Sequence, residues 1–486
     1  MLGSVAREAA RRFGDRPAFV AGEQTVSFQD LDARADRVAA GLMARGVGEG
    51  DVVALALGTV PDYPVAYLAA ARLGAITAGL NTRLVPAQQA RLLEVARPKL
   101  LIGESRFSAD LATKTTTVAE LEAAGDGAAA PPQLPPDPAR PVAIVFTSGT
   151  TGVPKGAVFG ERQLDAIRAI DVGPNWGAGG ATLIGTSLSH LGFMTKFPGA
   201  LQAGRTTHLL ARWNAGDALT LTSVLGLTSL SGVPTQLALM LAHPSFDALD
   251  LSALRMVLIG GGPASPALVR EARERLGVPV CTRYSCTEAG IGCGTAATDP
   301  DEDAETTVGR PQPGVELRIR DAAGADCPTG AVGEVVLRSA AVMSGYWDNP
   351  EASAAAFTPD GFARTGDLGW VDDRGRLHLA GRSTEVYVRG GYNVHPVAVE
   401  AVLSNHPNVR DLAIVPAPSD VMGQIGVAVV VPDGDPPTLD DLRRYGGDQL
   451  ARHELPERLV VVDELPLTPG DKVDRAALQA VVRADP

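Results

Sequence analysis

The sequence predicts an α/β protein: a large N-terminal domain of parallel sheets covered by helices, then a small C-terminal α/β domain. Strand-like and helix-like apolar segments alternate in the first third of the chain, which is typical of parallel βαβ units. Short strands separated by turns follow at 314–370, and the α/β alternation starts again after Gly381. The length of 486 residues also favours two or more domains, or one large domain with a smaller partner.

The first third of the chain contains a βαβ unit. Residues 51–57 (DVVALAL) predict a buried strand, 63–73 a helix and 75–80 a second strand, and two strands joined by a helix pair in parallel. The Ala/Pro-rich segment 128–141 is expected to be a surface connector. The apolar run 142–146 (VAIVF) then predicts a strand that leads straight into a loop rich in Gly, Thr and Ser.

The rest of the chain predicts a further strand, a small β unit and a second domain. The strand at 256–259 ends in a Gly-Gly-Gly-Pro turn, and the segment 314–370 predicts a small antiparallel or barrel-like unit. We place the boundary near 382–385, which gives an N-terminal domain 1–381 and a C-terminal domain 382–486. The elements predicted for the second domain are a helix over 396–403, strands over 412–415 and 427–431, and a helix over 439–450.

Composition excludes several classes of protein. The formal net charge of -13 repels the phosphate backbone of nucleic acids, so no nucleic-acid partner is expected. The sequence contains no stretch of about 18 apolar residues, so no transmembrane segment is predicted. The N-terminus lacks the apolar region of a signal peptide, so a cytoplasmic location is expected. The cysteines fit neither a disulfide framework nor a common zinc site; they are Cys281, Cys286, Cys293 and Cys327.

The segment 147–156 (TSGTTGVPKG) predicts a phosphate-binding loop. Glycines let backbone N–H groups approach an anion, hydroxyls add donors, and Lys155 adds a positive charge. A solvated turn is the alternative for a generic Gly-rich loop, but the length and residue types of this one favour phosphate. Pro154 precedes the lysine and Gly156 follows it, so the loop is not the Walker A loop of P-loop kinases and GTPases.

Four further motifs follow the loop in order: Tyr284-Ser-Cys-Thr-Glu288, Thr365-Gly-Asp-Leu368, Gly381-Arg382 with Arg389-Gly-Gly-Tyr-Asn393, and Pro466-Leu-Thr-Pro-Gly-Asp-Lys472. Together with the loop they resemble the acyl-adenylate-forming superfamily, which includes AMP-dependent acyl-CoA synthetases, adenylation domains of peptide synthetases and luciferases. The resemblance spans nearly the whole chain. It implies an enzyme that uses ATP and Mg²⁺ to adenylate a carboxylic acid with release of pyrophosphate, and then transfers the acyl group to coenzyme A.

The resemblance implies a role for each motif residue. Lys472 is expected to bridge the attacking carboxylate and the α-phosphate, Thr287 to donate to that phosphate, and Glu288 to coordinate Mg²⁺ together with Thr150. Asp367 and Arg382 are expected at the ribose. The remaining nucleotide-binding residues implied are Thr147, Ser148, Gly149, Thr150, Thr151, Gly152, Lys155, Gly261, Gly262, Pro263, Tyr284, Ser285 and Cys286.

Simpler explanations exist for the same side chains, and the sequence alone leaves them open. Lys472 and Glu288 are residue types that most often lie exposed on a protein surface. Tyr284 is of a residue type that often packs in a protein core, and Asp367 is of a type that often caps a turn.

In this family the C-terminal domain rotates after adenylation, which implies a mobile lid and a hinge near 382–385. Gly390 and Gly391 are then expected to line the channel for the pantetheine arm of coenzyme A. Three positions depart from the family pattern. Thr384 replaces the usual Asp or Lys of the hinge, Asp471 replaces the Gly before the lysine, and Ser285 replaces the Gly of the Tyr284 motif.

The acid that is activated is the least determined feature. The resemblance places the acyl pocket near His190, Gly232 and the glycines after residue 259. Arg283 and Lys196 are unusual charges in that region, and either is a candidate partner for a second carboxylate on the substrate. The alternative for both is a solvated or salt-bridged surface side chain.

The sequence leaves three functions open. An acid–CoA ligase is the leading interpretation. The second is an AMP-forming ligase that has a carrier-protein thiol or an amine as acceptor, or that activates an unusual small acid. A non-catalytic nucleotide-binding homologue is the third. A monomer or a homodimer is expected, with only small-molecule substrates as partners.

Overall fold

The computed structural model describes residues 2–103, 114–129, 131–147, 154–468 and 472–484. The first elements are α1 (Leu2–Phe13), β1 (Pro17–Ala21), β2 (Gln24–Ser27), α2 (Phe28–Ala44), β3 (Val52–Ala56), α3 (Asp62–Arg72), β4 (Ile76–Gly79), α4 (Pro86–Ala96), β5 (Leu100–Gly103), β6 (Lys114–Thr116) and α5 (Val118–Gly125). The next are β7 (Pro141–Thr147), β8 (Lys155–Gly160), α6 (Glu161–Val172), β9 (Ala181–Ile184), α7 (Leu191–Met194), α8 (Phe197–Ala203), β10 (Thr206–Leu209), α9 (Ala215–Val224), β11 (Ser229–Gly232), α10 (Pro234–Leu241), β12 (Met256–Gly260), α11 (Pro266–Leu276) and β13 (Val280–Tyr284).

The second half of the chain is richer in strands. Its elements up to residue 382 are β14 (Cys293–Gly294), α12 (Asp301–Thr306), β15 (Arg310–Pro311), β16 (Glu316–Arg320), β17 (Gly333–Arg338), α13 (Pro350–Ala355), β18 (Ala363–Val371) and β19 (Leu377–Arg382). The last elements are β20 (Tyr387–Arg389), β21 (Tyr392–Val394), α14 (Pro396–Leu403), β22 (Val409–Ser419), β23 (Gly423–Pro432), α15 (Leu439–Gly446), β24 (Arg458–Val461) and α16 (Arg475–Ala484). No helix in the described ranges is both long enough and apolar enough to cross a membrane.

In the part of the chain that the structure describes, four sheets precede the predicted boundary. A six-stranded sheet has the order β6-β5-β3-β4-β7-β8 and is parallel apart from the β7–β8 hairpin. A second sheet has the order β2-β1-β10-β9, and a third has the order β11-β12-β13-β14-β15 with its first three strands parallel. The segment predicted to be antiparallel or barrel-like is a four-stranded antiparallel sheet, β16-β17-β18-β19. The predicted α/β class is confirmed.

The buried side chains explain why these segments fold as they do. Strands β3 and β4 are buried along their whole length, because helices cover both faces of a parallel sheet and leave no solvent-exposed side. Helix α2 begins at Ser27, whose hydroxyl accepts from the N–H of Asp30 at 3.0 Å while the carboxylate of Asp30 accepts from Ser27. This reciprocal capping satisfies donors that the first helical turn would otherwise leave unpaired.

A fifth sheet lies after the predicted boundary. Its order is β21-β20-β23-β22, with β24 parallel to β23, and separate apolar clusters pack on its two faces. We call residues 387–484 the C-terminal unit. The strand predicted over 412–415 is longer, running over Val409–Ser419 with Pro416 and Pro418 inside it. Because β22 is the edge strand of that sheet, prolines interrupt the hydrogen bonding of one side only. The helix predicted over 439–450 ends at Gly446.

Candidate active site

Three parallel strands end side by side at one edge of the third sheet. Gly232 pairs with Ile259, and Gly260 pairs with Arg283, so β11, β12 and β13 bring their last residues to the same level. Gly261 follows with φ of +82°, a backbone conformation that a residue with a Cβ rarely adopts. Ligands of open α/β sheets bind beyond the carboxyl ends of the strands. This edge is therefore where the predicted nucleotide and acyl residues are expected to meet.

The side chains of Tyr284 and Arg382 converge on the carboxylate of Asp367. The Tyr284 hydroxyl donates to Oδ2 of Asp367 at 2.7 Å, and Nε of Arg382 lies 3.1 Å from Oδ1. Asp367 is only 8% exposed; burial raises its pKa, whereas Arg382 and Tyr284 act in the opposite direction. A carboxylate accepts about four hydrogen bonds, so the two contacts leave capacity for a diol.

The turn that presents Asp367 is fixed by its neighbours. The Thr365 hydroxyl donates to the carbonyl of Val335 at 2.7 Å and accepts from the N–H of Asp367 at 3.1 Å. Gly366 has a φ of +73°, and its carbonyl accepts from the N–H and the hydroxyl of Ser383 at 3.0 and 3.1 Å. The Thr-Gly-Asp segment is thus part of strand β18 and is tied to the chain just after β19.

Glu288 has a partner that the sequence analysis missed. The Tyr346 hydroxyl donates to Oε1 of Glu288 at 2.7 Å, and Nζ of Lys155 lies 5.0 Å from the centre of the Tyr346 ring. The N–H of Trp347 donates to the carbonyl of Gly156 at 2.7 Å. Tyr346 therefore links the acid to the strand that follows the phosphate loop. An aromatic pair in a turn-rich segment was the available signal, but nothing local in the sequence specifies its partner.

We expect Tyr346→Phe to weaken adenylation about tenfold to 150-fold, since a hydrogen bond to a charged group contributes about 1.5–3 kcal/mol and each 1.36 kcal/mol is tenfold in rate. The phenyl ring would still pack under Lys155, so the loss should come from the freed carboxylate of Glu288. The measurement is acid-dependent ATP–pyrophosphate exchange at a series of Mg²⁺ concentrations. Tyr346→Leu, which also removes the ring, should be weaker still; full activity of Tyr346→Phe would contradict the assignment.

Lys472 reaches the edge formed by β11, β12 and β13. A Cβ built on Gly261 would lie 3.6 Å from Cε and 3.7 Å from Nζ of Lys472. The lysine is accessible to solvent, yet the protein atoms crowded around it lower its pKa, and Arg382 contributes in the same direction. The N–H of Lys472 donates to the Thr468 hydroxyl at 3.3 Å, and the N–H of Thr468 donates to the carbonyl of Lys472 at 2.6 Å. These bonds tie the backbone of Lys472 to Thr468.

His190 lies in the same cleft in its neutral form. Although it is accessible to solvent, crowding by protein atoms and the charges of Lys472 and Arg83 lower its pKa to about 4. Its Nε2 lies 3.4 Å from Nδ2 of Asn81. At neutral pH the positive charge near this edge therefore comes from the lysine and arginine side chains.

Comparison with known proteins identifies the family. The model of the AMP-binding enzyme family matches residues 6–347, and the model of the AMP-binding enzyme C-terminal domain matches residues 398–472. The chain belongs to the AMP-binding enzyme family. The resemblance to the acyl-adenylate-forming superfamily, based on five motifs, is thereby confirmed, and the predicted boundary at 382–385 lies between the two matched regions.

Relatives in this family have different acceptors. The chain is 33% identical to indoleacetate–CoA ligase of Aromatoleum aromaticum, over 95% of this chain and 94% of that protein. It is 32% identical to the fatty acid–[acyl-carrier-protein] ligase ScoC of Streptomyces coeruleorubidus, over 95% and 93%. The amide bond synthetase McbA of Marinactinospora thermotolerans superposes with a TM-score of 0.88 at 30% identity, over 99% of this chain and 100% of that chain. ATP-bound MatB of Rhodopseudomonas palustris gives 0.89 at 26% identity, over 99% of each chain.

Several residues predicted for the nucleotide site of this family member lie in the described ranges, at the ends of segment 147–156 or just after β13. Thr147 and Lys155 are paired where β7 and β8 meet. Thr287 and Glu288 follow β13 in a turn, Cys286 is buried, and the Ser285 hydroxyl donates to the carbonyl of Cys286 at 3.0 Å. The predicted residues that lie outside the described ranges are Ser148, Gly149, Thr150, Thr151, Gly152 and Asp471.

The two charges predicted for the acyl pocket have different surroundings. Lys196 forms an ion pair with Asp171 at 3.1 Å, so the structure shows the surface salt bridge that was its alternative explanation. Arg283 donates to the carbonyls of Thr282 and Thr295 at 2.9 and 2.6 Å. Within the described residues Arg283 has no carboxylate partner, and it ends β13 beside Gly260.

Proposed function

We propose that this family member is an ATP-dependent, AMP-forming ligase that adenylates a carboxylic acid and then transfers the acyl group to coenzyme A. One observation carries the proposal: the ammonium group of Lys472, on the C-terminal unit, lies against Gly261 at the end of β12. The same edge connects to Asp367, whose two partners leave acceptor capacity free. A cation facing a polar sugar site is the arrangement that adenylate formation requires.

The proposed adenylation divides its tasks between the two parts of the chain. A carboxylate is too weak an electrophile to transfer its acyl group directly, so it must be activated. Acting as a nucleophile, it attacks the α-phosphorus of ATP, and this attack builds negative charge on the phosphate oxygens. Lys472 would offset that charge and hold the attacking carboxylate. Asp367 would accept from the ribose hydroxyls, while Tyr284 and Gly261 to Pro263 would enclose the adenine. Pyrophosphate leaves with the electrons of the broken P–O bond, and the mixed anhydride has AMP as its leaving group.

The carboxylate of Glu288 suits a magnesium ion bound to a nucleotide. Mg²⁺ takes oxygen ligands, and in nucleotide sites one or two carboxylates commonly hold it together with substrate phosphates. Glu288 provides such an oxygen, and the Tyr346 hydroxyl, 2.7 Å from Oε1, orients it. When bound, the metal would neutralise charge on the phosphates. Thr287 would donate a hydrogen bond to the α-phosphate.

The acceptor and the acid are the finer parts of the proposal. Gly390 and Gly391 have φ of +54° and +91° between β20 and β21, a backbone without side chains that suits a pantetheine arm once the C-terminal unit has turned about 382–385. Carrier-protein and amine acceptors remain the second candidate, because two of the relatives are named for them. We also propose that Arg283, which lacks a carboxylate partner among the described residues, pairs with an anionic group of the acid.

A panel of acids assayed for AMP release with and without coenzyme A tests the proposal. We expect AMP release to depend on the acid and to accelerate with coenzyme A as the acyl thioester appears. The panel should pair each monocarboxylic acid with a dicarboxylic analogue of the same length; Arg283→Leu should abolish a preference for the dicarboxylic member. Protein that splits ATP to AMP with none of the acids would refute the function, and acid-dependent adenylate that ignores coenzyme A would favour the second candidate.

A further inference from the structure

A hydrogen bond outside the predicted hinge joins helix α11 to the C-terminal unit. Nη2 of Arg270 donates to Oδ1 of Asn405 at 2.7 Å, across 135 residues of chain. Arg270 lies on α11, which follows the Gly261 turn, and Asn405 comes two residues after the end of α14. None of the motifs includes either residue. The contact forms in the arrangement in which Lys472 lies against Gly261.

Both partners are held in place by other contacts. Nη1 of Arg270 pairs with Glu305 at 2.8 Å, and that carboxylate is 11% exposed. Nδ2 of Asn405 donates to the carbonyl of Ala401 at 2.6 Å, which fixes its amide orientation, and the Tyr445 hydroxyl donates to the carbonyl of Asn405 at 2.8 Å. Because the groups are ordered beforehand, forming the bond costs little side-chain entropy.

Helix α14 also contacts the segment that follows Lys472. Glu400 on α14 is buried, and its carboxylate accepts hydrogen bonds from both terminal nitrogens of Arg475, at 2.6 and 2.9 Å. Arg475 comes three residues after Lys472. Nη1 of Arg475 also donates to the carbonyl of Ile414 at 3.1 Å. Helix α14 and the residues just after it therefore contact α11 through Asn405 and the segment that follows Lys472 through Glu400.

We propose that Arg270 and Asn405 are positioning residues that hold the C-terminal unit in the arrangement for adenylation, and that this contact must open before the acyl group is transferred. The inference rests on the proposed function, in which the unit turns between two half-reactions. Opening the bond loses a charge-assisted hydrogen bond, so it biases the equilibrium between arrangements without touching ATP or the acid. The two residues should therefore affect the rate of adenylation, and not the binding of ATP.

The test compares Arg270→Leu and Asn405→Ala with Arg273→Leu as a matched control. Arg273 lies on the same helix and also binds Glu305, at 2.6 Å, but its acidic partners in the described residues, Asp301 and Glu305, both precede residue 382. We expect Arg270→Leu and Asn405→Ala each to lower kcat of ATP–pyrophosphate exchange about threefold to tenfold, with KM for ATP unchanged. Thioester formation from preformed acyl-adenylate should stay the same or accelerate, and the double variant should lose no more than either single variant. Arg270→Lys should restore part of the rate.

A second measurement tests the contact without catalysis. Spin labels at Val224→Cys and Val421→Cys, both exposed positions at 74% and 87%, in a Cys327→Ser background, report the distance between the two parts of the chain. We expect Arg270→Leu to broaden or shift this distance distribution and Arg273→Leu to leave it as in the parent. Equal behaviour of the two arginine variants, in exchange or in distance, would overturn the proposal, as would equal loss of both half-reactions. Wild-type protein that forms no adenylate would refute the proposed function, while the distance measurement would still decide the role of the contact.

Discussion

Replacing Lys472 by alanine is expected to lower acid-dependent ATP–pyrophosphate exchange by about a hundredfold to a thousandfold, the range found when a single donor to a developing anion is removed. The reason is the position of its ammonium group against Gly261. His190 is a poor substitute, because crowding by protein atoms, the largest cause of its lowered pKa, still disfavours the charged imidazole when Lys472 is absent. Pyrophosphate exchange measured with a saturating acid gives the loss directly.

The second half-reaction distinguishes a catalytic role of Lys472 from a structural one. Attack of coenzyme A on preformed acyl-adenylate should continue in Lys472→Ala at close to the wild-type rate, because the proposed turn of the C-terminal unit removes the lysine from the site before that step. Lys196→Ala is the matched control; its ion pair with Asp171 is exposed, so neither half-reaction should change. Loss of both half-reactions to the same extent in Lys472→Ala would contradict the assignment.

The elements that the sequence predicts best are those whose pattern is local. Strands β3, β4 and β12 are short, mostly apolar segments, and each lies within a residue or two of its prediction. The extension of β22 through Pro416 and Pro418 was not predictable in this way. Proline argues against a strand in general, and only the position of β22 at the edge of its sheet makes it tolerable.

The site shows the same division between local and tertiary information. The motifs named Tyr284, Asp367 and Arg382, and the contacts of Asp367 with the other two join residues that lie up to 83 positions apart in the sequence. Tyr346 was missed because its partner, Glu288, is 58 residues away. The pairing of Lys196 with Asp171 likewise depends on how α6 packs against α8, which no short pattern encodes.

Asp367→Asn is expected to raise KM for ATP about tenfold to a hundredfold while kcat at saturating ATP falls much less. The amide keeps the size of the carboxylate but has one acceptor oxygen, and its NH₂ group would face either Arg382 or the Tyr284 hydroxyl, both donors at 3.1 and 2.7 Å in the wild type. A charged acceptor for a sugar hydroxyl contributes about 1.5–3 kcal/mol, and losing it weakens binding of the ground state and the transition state alike.

Nucleotide analogues turn this expectation into a test of where the ribose binds. Wild-type protein should discriminate against 2′-deoxy-ATP and 3′-deoxy-ATP, and Asp367→Asn should lose most of that discrimination, because the carboxylate that reads the missing hydroxyl is gone. Asp372→Asn is the control on the same segment, since Asp372 lies 3.1 Å from His378 and pairs with Arg376 at 2.6 Å; its KM for ATP should match the wild type. If Asp367→Asn keeps both its KM and its discrimination, Asp367 serves Tyr284 and Arg382 alone, and the ribose must lie elsewhere along the edge formed by β11, β12 and β13.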